Sequence, residues 1–332
     1  MKIFMTGATG FIGRNLAEKM ANEKHQLVVM LRDRSRGAEF EQLGIRVIYG
    51  DLSDREVLKS GMAGCDWVFH LAAYTRPVSK DPMLPYMVNV EGTTNVLESA
   101  REQSVKKVII TSTAGTLGYS VDGSLIDEKS DMVSGYHTEY ERTKALAEKT
   151  ALEYNFDRME VVVVNPTRVY GPGRASISNS VTRIIRMYGK GLWRILPGNG
   201  EAIGNYVFID DVVEGHILAA MHGKGGERYI LGGENISYSD FFDILGEIYS
   251  RKRKLIAFKK QFLIRIVKIA GIWSKVSRSP AFITNGWVDK FLQTSRISSE
   301  KAKEFLGYTI TPFREGAEKT VIWLKSDKRS HG

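Results

Sequence analysis

The chain of 332 residues has a single cysteine, Cys65. One thiol excludes an intramolecular disulfide framework, and beside six scattered histidines it offers no metal-ligand spacing. Both absences fit a reducing, cytoplasmic setting. No uninterrupted apolar run reaches the roughly 18 residues of a membrane-spanning helix. The opening Met-Lys-Ile-Phe-Met-Thr-Gly lacks the basic head, apolar stretch and small-residue cleavage site of a secretion signal. Acidic residues are missing from one stretch, 248–288, which carries ten basic residues between Arg251 and Arg278. Outside it, 37 basic residues face 38 acidic ones, so the formal charge of +9 belongs to that segment alone. No nucleic-acid-binding module accompanies it, which argues against nucleic acid as a partner. Repeats and low-complexity tracts are also absent. With 43% hydrophobic residues and five tryptophans, the chain can bury a large core, and its length suggests two domains or one large domain with a smaller lobe.

Short β-branched runs alternate with helical patterns through the first half. Residues 2–6, 27–31, 46–49, 67–70, 108–112 and 161–165 read as strands, the last holding four valines in succession. Helical patterns fall at 11–21, 54–62, 85–103 and 138–155. This alternation predicts an α/β fold, a doubly wound parallel sheet of Rossmann type over 1–173, with ligands at the carboxyl ends of the strands. Beyond Tyr170-Gly-Pro-Gly the pattern loosens. Helices are expected at 177–188, 211–221, 238–249, 280–291 and 313–324, forming a smaller, mostly helical substrate lobe over 174–332, with chain crossovers that soften the boundary.

The first strand runs into Gly7-Ala-Thr-Gly10-Phe-Ile-Gly13 and then directly into an amphipathic helix. Such a turn, with Thr9, Phe11 and Ile12 between its glycines, lets backbone amides approach a pyrophosphate at a helix N-terminus. A glycine-rich turn without ligand is the blander reading, but the position in the first βα unit favours a dinucleotide. The second strand ends at Leu31 and is followed by Arg32-Asp-Arg34-Ser-Arg36. Guanidinium at that place favours the 2′-phosphate of NADP, whereas Asp33 would serve the ribose of NAD. Asp51-Leu52 follows the third strand, where the carboxylate can meet an adenine amino group or cap the helix beginning at Asp54.

Tyr140 and Lys144 lie four apart on one face of a predicted helix. An ammonium beside a phenol lowers its pKa, making it usable as an acid or base. A surface Tyr/Lys pair would look the same in isolation. The fifth strand, however, ends in Thr111-Ser-Thr113-Ala-Gly, where a hydroxyl can hydrogen-bond a substrate oxygen.

Over nearly its whole length the sequence resembles the extended short-chain dehydrogenase/reductase family. The resemblance rests on the three glycines, Asp51-Leu52, His70-Leu-Ala-Ala73, Asn89-Val-Glu-Gly-Thr93, Tyr140/Lys144, Asn165-Pro-Thr-Arg-Val-Tyr-Gly-Pro172 and Tyr206-Val-Phe-Ile-Asp-Asp211. It implies a catalytic set of Tyr140, Lys144 and Thr113. It further implies that Leu71, Ala72 and Ala73 border the nicotinamide ribose, that Pro166, Thr167 and Val169 wall the nicotinamide, and that the protein is a homodimer. Thr-Ser-Thr-Ala-Gly-Thr116, Leu-Arg32-Asp and the closing Arg-Glu-Gly-Ala-Glu-Lys-Thr-Val-Ile-Trp323 look most like dihydroflavonol-reductase-like proteins. That branch implies NADPH-dependent reduction of a ketone or aldehyde.

Rival readings are a nucleotide-sugar epimerase or dehydratase, a hydroxysteroid-dehydrogenase-like enzyme, and an NADP-binding sensor without turnover. Many nucleotide-sugar relatives place an arginine just before the strand at 206–209 to meet substrate phosphate. Here the segment is Ala202-Ile-Gly-Asn205, although Arg174, Arg183, Arg186 or Arg194 could substitute. The presence of Tyr140, Lys144 and Thr113 counts against the sensor. In the basic segment 251–278, residues 262–273 read as an amphipathic helix, either a lid over the substrate or a peripheral contact with an anionic membrane. His137 reads as a surface residue, Asp210-Asp211 as a helix cap, and Trp193, Trp273 and Trp287 as packing residues.

Overall fold

A computed structural model describes residues 1–76, 79, 81–120, 123–130, 135–155, 158–174, 179–258 and 292–326. In chain order the strands are β1 (Lys2–Thr6), β2 (Gln26–Leu31), β3 (Arg46–Tyr49), β4 (Trp67–His70), β5 (Lys107–Thr111) and β6 (Glu160–Pro166), then β7 (Arg168–Tyr170), β8 (Ile195–Pro197), β9 (Ile203–Phe208), β10 (Arg228–Leu231), β11 (Glu234–Ser237) and β12 (Ile256–Phe258). Seven of them form one parallel sheet in the order β10-β6-β5-β4-β1-β2-β3. The order reverses between β1 and β4, so the crevice for a ligand opens beyond Thr6 and His70.

Alternate residues of β1 serve opposite faces, as a period of two requires. Ile3 and Met5 enter one apolar cluster and Phe4 the other, and all three are fully buried. Helices α1 (Phe11–Asn22), α2 (Ala38–Glu41), α3 (Arg55–Met62), α4 (Leu84–Tyr86), α5 (Gly92–Glu102) and α6 (Glu139–Glu153) belong to the first half. They are followed by α7 (Ser180–Gly189), α8 (Ile209–His222), α9 (Tyr238–Ile248), α10 (Glu300–Leu306) and α11 (Phe313–Ser326).

Two expectations are corrected in detail, and a third falls partly outside the described residues. The single helix expected at 85–103 is broken into α4, a π-helical turn at Met87–Glu91, and α5. Asp210 and Asp211 do not cap α8. Its N-cap is Phe208, and both carboxylates sit in the first turn, where they favour the helix dipole. Asp211 also accepts hydrogen bonds from the amide and hydroxyl of Thr311, tying α8 to the C-terminal segment. The helix expected from residue 177 is described only from Ser180.

After residue 173 the chain returns to the large sheet, with α8 against it and β10 as an edge strand beside β6. A smaller sheet, β11-β9-β7, stands next to the crevice and pairs Arg168 with Tyr206. Trp193 packs near Phe242 in the core and donates its indole N–H to the Ile195 carbonyl. The expected helices at 262–273 and 280–291, with Trp273 and Trp287, lie outside the described residues, as does 259–278 of the basic segment. Residues 256–258 of it form β12, paired with β8. Among the described residues no helix is long and apolar enough to cross a membrane.

Candidate active site

Gly7 ends β1 with φ +76°, a left-handed conformation natural to glycine. A Cβ there would collide with the backbone of Leu71 and Ala72, and one on Gly13 with the Gly7 carbonyl. The turn is therefore as tight as backbone permits. Gly10 caps α1 without a side-chain hydrogen bond, and no acidic residue lies in the first turn. Its amide groups and positive dipole end face the crevice, an arrangement suited to pyrophosphate.

Beside this turn lies a cleft of about 690 Å³ lined by Thr9, Gly10, Phe11, Arg14, Arg36 and Arg174, among others. Arg36 donates to the Thr9 carbonyl (3.2 Å) and to Glu39 (2.9 Å), and Arg14 and Arg174 also pair with Glu39. These three guanidinium groups hold the Glu39 carboxyl below its ordinary pKa against the opposing effect of burial. Arg32 is exposed and does not line the cleft; Arg36, two residues beyond Arg34, does. Asp33 is occupied locally, accepting from the amide and hydroxyl of Ser35. Asp51 likewise accepts from Ser53, while Asp54 caps α3. Leu52 is buried against Gly92.

The loop holding Leu71, Ala72 and Ala73 is fixed from below. Thr93 gives its hydroxyl proton to the Asn89 carbonyl (2.6 Å), so its oxygen accepts from His70 Nε2 (3.1 Å). His70 Nδ1 then accepts from Thr6 (2.7 Å), whose oxygen meets the Ala72 amide (3.4 Å). This pattern requires a neutral imidazole. Burial, with a smaller push from the Lys144 charge, takes the His70 pKa down to about 3. Asn89, inside the π turn, accepts from the Tyr74 amide and donates to Thr143 on α6 (2.9 Å), joining the loop to the helix that carries Tyr140 and Lys144.

Helix α6 begins with a capping box, Thr138 and Glu141. Tyr140 sits in its first turn, half-buried, and burial together with the Glu141 charge raises the phenol to about 12. Lys144, one turn on, is 1% exposed. Burial lowers it to about 8, with Glu148 pulling the other way. Among the described residues its Nζ makes no hydrogen bond. Thr113 caps the turn after β5. That turn is bound to α6, with Thr116 donating to Glu148 (3.0 Å) and Asn165 bridging Glu148 (3.0 Å) to the Thr113 carbonyl (3.2 Å). Gly115 lies against Glu141, and Tyr119 donates to the Glu141 carboxylate (2.6 Å). The imidazole of His137 is 4.8 Å from the Tyr119 ring and is not the free surface group expected.

Pro166, Thr167 and Val169 continue from β6 into β7. Thr167 is held by the Asn205 side chain (2.7 Å). Between them stands Arg168, which local reading passed over. Its guanidinium donates to Tyr238 (2.8 Å) and Tyr206 (3.2 Å) and occupies the space beside Gly204, where a Cβ would strike it. Asn89 and Glu148 were also missed, although Asn89 lies in a motif already noted, and of the arginine run after β2 Arg32 was preferred to Arg36. Among the described residues no cluster could hold a metal ion.

A buried lysine with no hydrogen-bond partner for its Nζ among the described residues, a helix N-terminus without a side-chain cap and a glycine turn closed against the next strand fit a nicotinamide dinucleotide. The fold and site thus define an enzyme of the extended short-chain dehydrogenase/reductase class. Comparison makes this specific. Residues 3–232 match the model of the NAD dependent epimerase/dehydratase family, and the chain belongs to that family. It is 30% identical, over 97% of its length and 94% of the relative's, to a Synechocystis sp. protein provisionally named dihydroflavonol 4-reductase. It is 31% identical over 77% of its length, and 75% of the relative's, to the Stigmatella aurantiaca 4-hydroxy-2-methyl-3-oxo-4-farnesyl-3,4-dihydroquinoline-1-oxide ketoreductase. The solved structure of gox2253 is similar with a TM-score of 0.81, 31% identity and 98% coverage of both chains.

Proposed function

We propose that this enzyme reduces a ketone or aldehyde with NADPH. The observation that carries the reading is the placement of Tyr140 and Lys144 on one helix bound to the Thr113 turn. The dinucleotide, when bound, supplies the hydride. Thr113 hydrogen-bonds the carbonyl oxygen, and Tyr140 gives that oxygen its phenolic proton as the carbon is reduced to an alcohol. A phenol raised to about 12 is still protonated at neutral pH, as an acid must be. Lys144, with no protein partner for Nζ among the described residues, holds the nicotinamide ribose and favours the phenolate left behind. Solvent then returns the proton. Arg36 and Arg14 at the cleft beside Thr9 favour a 2′-phosphate, and so NADPH over NADH. The two named relatives support ketone reduction.

The alternative is a nucleotide-sugar epimerase, in which hydride leaves and returns without net cofactor use. The lack of an arginine in 202–205 disfavours it, whereas the Arg168 guanidinium beside Gly204 is an observation in its favour. NADPH and NADH oxidation would be followed on aryl ketones, aldehydes and steroids, with UDP- and dTDP-sugars assayed for epimers. The expected result is NADPH turnover with a carbonyl, abolished in Tyr140→Phe while NADPH still binds. Sugar conversion without cofactor consumption would overturn the reductase reading.

A further inference from the structure

Three guanidinium groups from three parts of the chain converge on one carboxylate in the cleft beside the glycine turn. Arg36 reaches Glu39 through Nε at 2.9 Å, Arg14 of α1 through Nη1 at 2.8 Å, and Arg174 through Nη1 at 3.2 Å. Arg174 arrives from beyond β7. Gly173 brings that segment against α1, since a Cβ there would stand 2.7 Å from the Phe11 ring and 3.1 Å from the Asn15 amide. All four charged residues line the cleft, together with Asp33 and Ser35, which follow β2. In a doubly wound sheet the residues after the second strand meet the 2′ position of the adenine ribose, so Glu39 and its arginines stand where a 2′-phosphate would be held. Glu39 is ionised at neutral pH, because the three cations hold its carboxyl down against burial. Asp33, the other acid of the lining, is turned onto Ser35, and Glu18 meets Arg14 from outside it. Among the described residues, Nη2 of all three arginines and Nε of Arg174 make no hydrogen bond, so donors remain for a second oxyanion. The Arg174 side chain is 71% exposed, and an ion pair that open to water is given up readily.

We propose that the 2′-phosphate of NADP(H) takes the place of Glu39 among these guanidinium groups, with Arg174 a direct ligand of the phosphate and Glu39 the internal anion that it displaces. A phosphate monoester carries close to two charges at neutral pH and three acceptor oxygens, where a carboxylate has one charge and two oxygens. It therefore outcompetes Glu39 for the forks, whereas the bare ribose hydroxyl of NAD(H) leaves the cluster closed. Glu39 in this role weakens NADP(H) binding and leaves NAD(H) binding untouched. The proposal rests on the NADPH reading given above.

The test titrates 2′,5′-ADP and AMP, which differ only in the 2′-phosphate, into wild type, Glu39→Gln, Arg174→Met and the double variant by calorimetry. The ratio of the two affinities isolates the phosphate. Glu39→Gln should raise that ratio about fivefold by removing a competing negative charge, and Arg174→Met should lower it about fivefold by removing a charge-assisted hydrogen bond. AMP affinity should stay unchanged in both. In the double variant the Arg174 loss should persist, because its partner there is the phosphate. A ratio lowered by Glu39→Gln would make Glu39 an organiser of the arginines and overturn the proposal. A ratio that Arg174→Met does not lower would overturn it too. If Glu39→Gln does not fold, Arg174→Met and Arg174→Lys decide: a loss in the first that the second largely restores supports the site, and no loss refutes it. The two readings fail separately. A wild-type preference for 2′,5′-ADP that neither substitution moves refutes the displacement and keeps the NADPH reading. A wild type without preference that gains one in Glu39→Gln removes the NADPH reading and leaves Glu39 standing as the competing anion. No preference in any of the proteins removes both.

Discussion

Lys144→Met should abolish turnover and yet stabilise the cofactor-free protein at neutral pH. The ammonium is buried in the folded chain, and its pKa falls from 10.5 to about 8 even with Glu148 nearby. A lysine with a lowered folded pKa opposes folding wherever both states carry the proton, that is, below about 8. The gap of about 2.5 pKa units corresponds to a cost of about 3 kcal/mol. Methionine keeps most of the stem and carries no charge, so the variant should gain up to that amount at pH 7. For a chain of this size that is a rise of about 4 °C in Tm. Above pH 8 the wild-type lysine loses its proton in the folded state first, and its stability rises relative to the variant. The difference should shrink by about 2 kcal/mol between pH 8 and 9.5 and disappear near the unfolded pKa. Urea unfolding of both proteins across pH 7–9.5, without dinucleotide, measures this directly. A variant less stable than wild type at pH 7, or a difference that does not narrow with pH, would refute the burial argument.

Two further perturbations probe the cofactor end. Gly13→Ala puts a methyl group into the Gly7 carbonyl and near the Ala8 Cα, so it should cost about 2 kcal/mol by overpacking and weaken dinucleotide binding. Unchanged urea midpoint and unchanged NADP titration would count against the tight-turn argument. Arg36→Ala should lower NADPH affinity about tenfold and leave NADH within about twofold, whereas Arg32→Ala, at an exposed position, should do less. Equal losses for both cofactors would mean that Arg36 merely braces Thr9 and Glu39.

The large sheet was legible because its central strands are buried on both faces. Val161 to Val164 have no exposed surface, and such runs announce a parallel interior strand without help from distant residues. The seventh strand was not. Arg228–Leu231 is only four residues, and nothing local tells it from an edge strand of the lobe; its place beside β6 is a tertiary choice. The π turn in the expected 85–103 helix escaped for a similar reason. Helical periodicity reads propensity, whereas the widened turn coincides with Asn89 satisfying Tyr74 and Thr143 on two different elements at once.

The site divides along the same line. Glycines, Tyr140, Lys144 and Thr113 could be chosen because their chemistry depends on short spacing within one βα turn, one helix or one strand end. Arg168 and Glu148 could not, because each acts across strand pairing or between helix and turn. An arginine was sought before residue 206 along the chain, and the segment there ends in Gly204-Asn205. Parallel pairing of β7 with β9 instead brings Arg168 opposite Tyr206 and over Gly204, so a guanidinium reaches that place from the neighbouring strand. A missing side chain in one strand is therefore weak evidence of a missing function when the adjacent strand can reach the same point. The gap left by a missing side chain in β9 is, in three dimensions, the space that the Arg168 guanidinium of β7 fills.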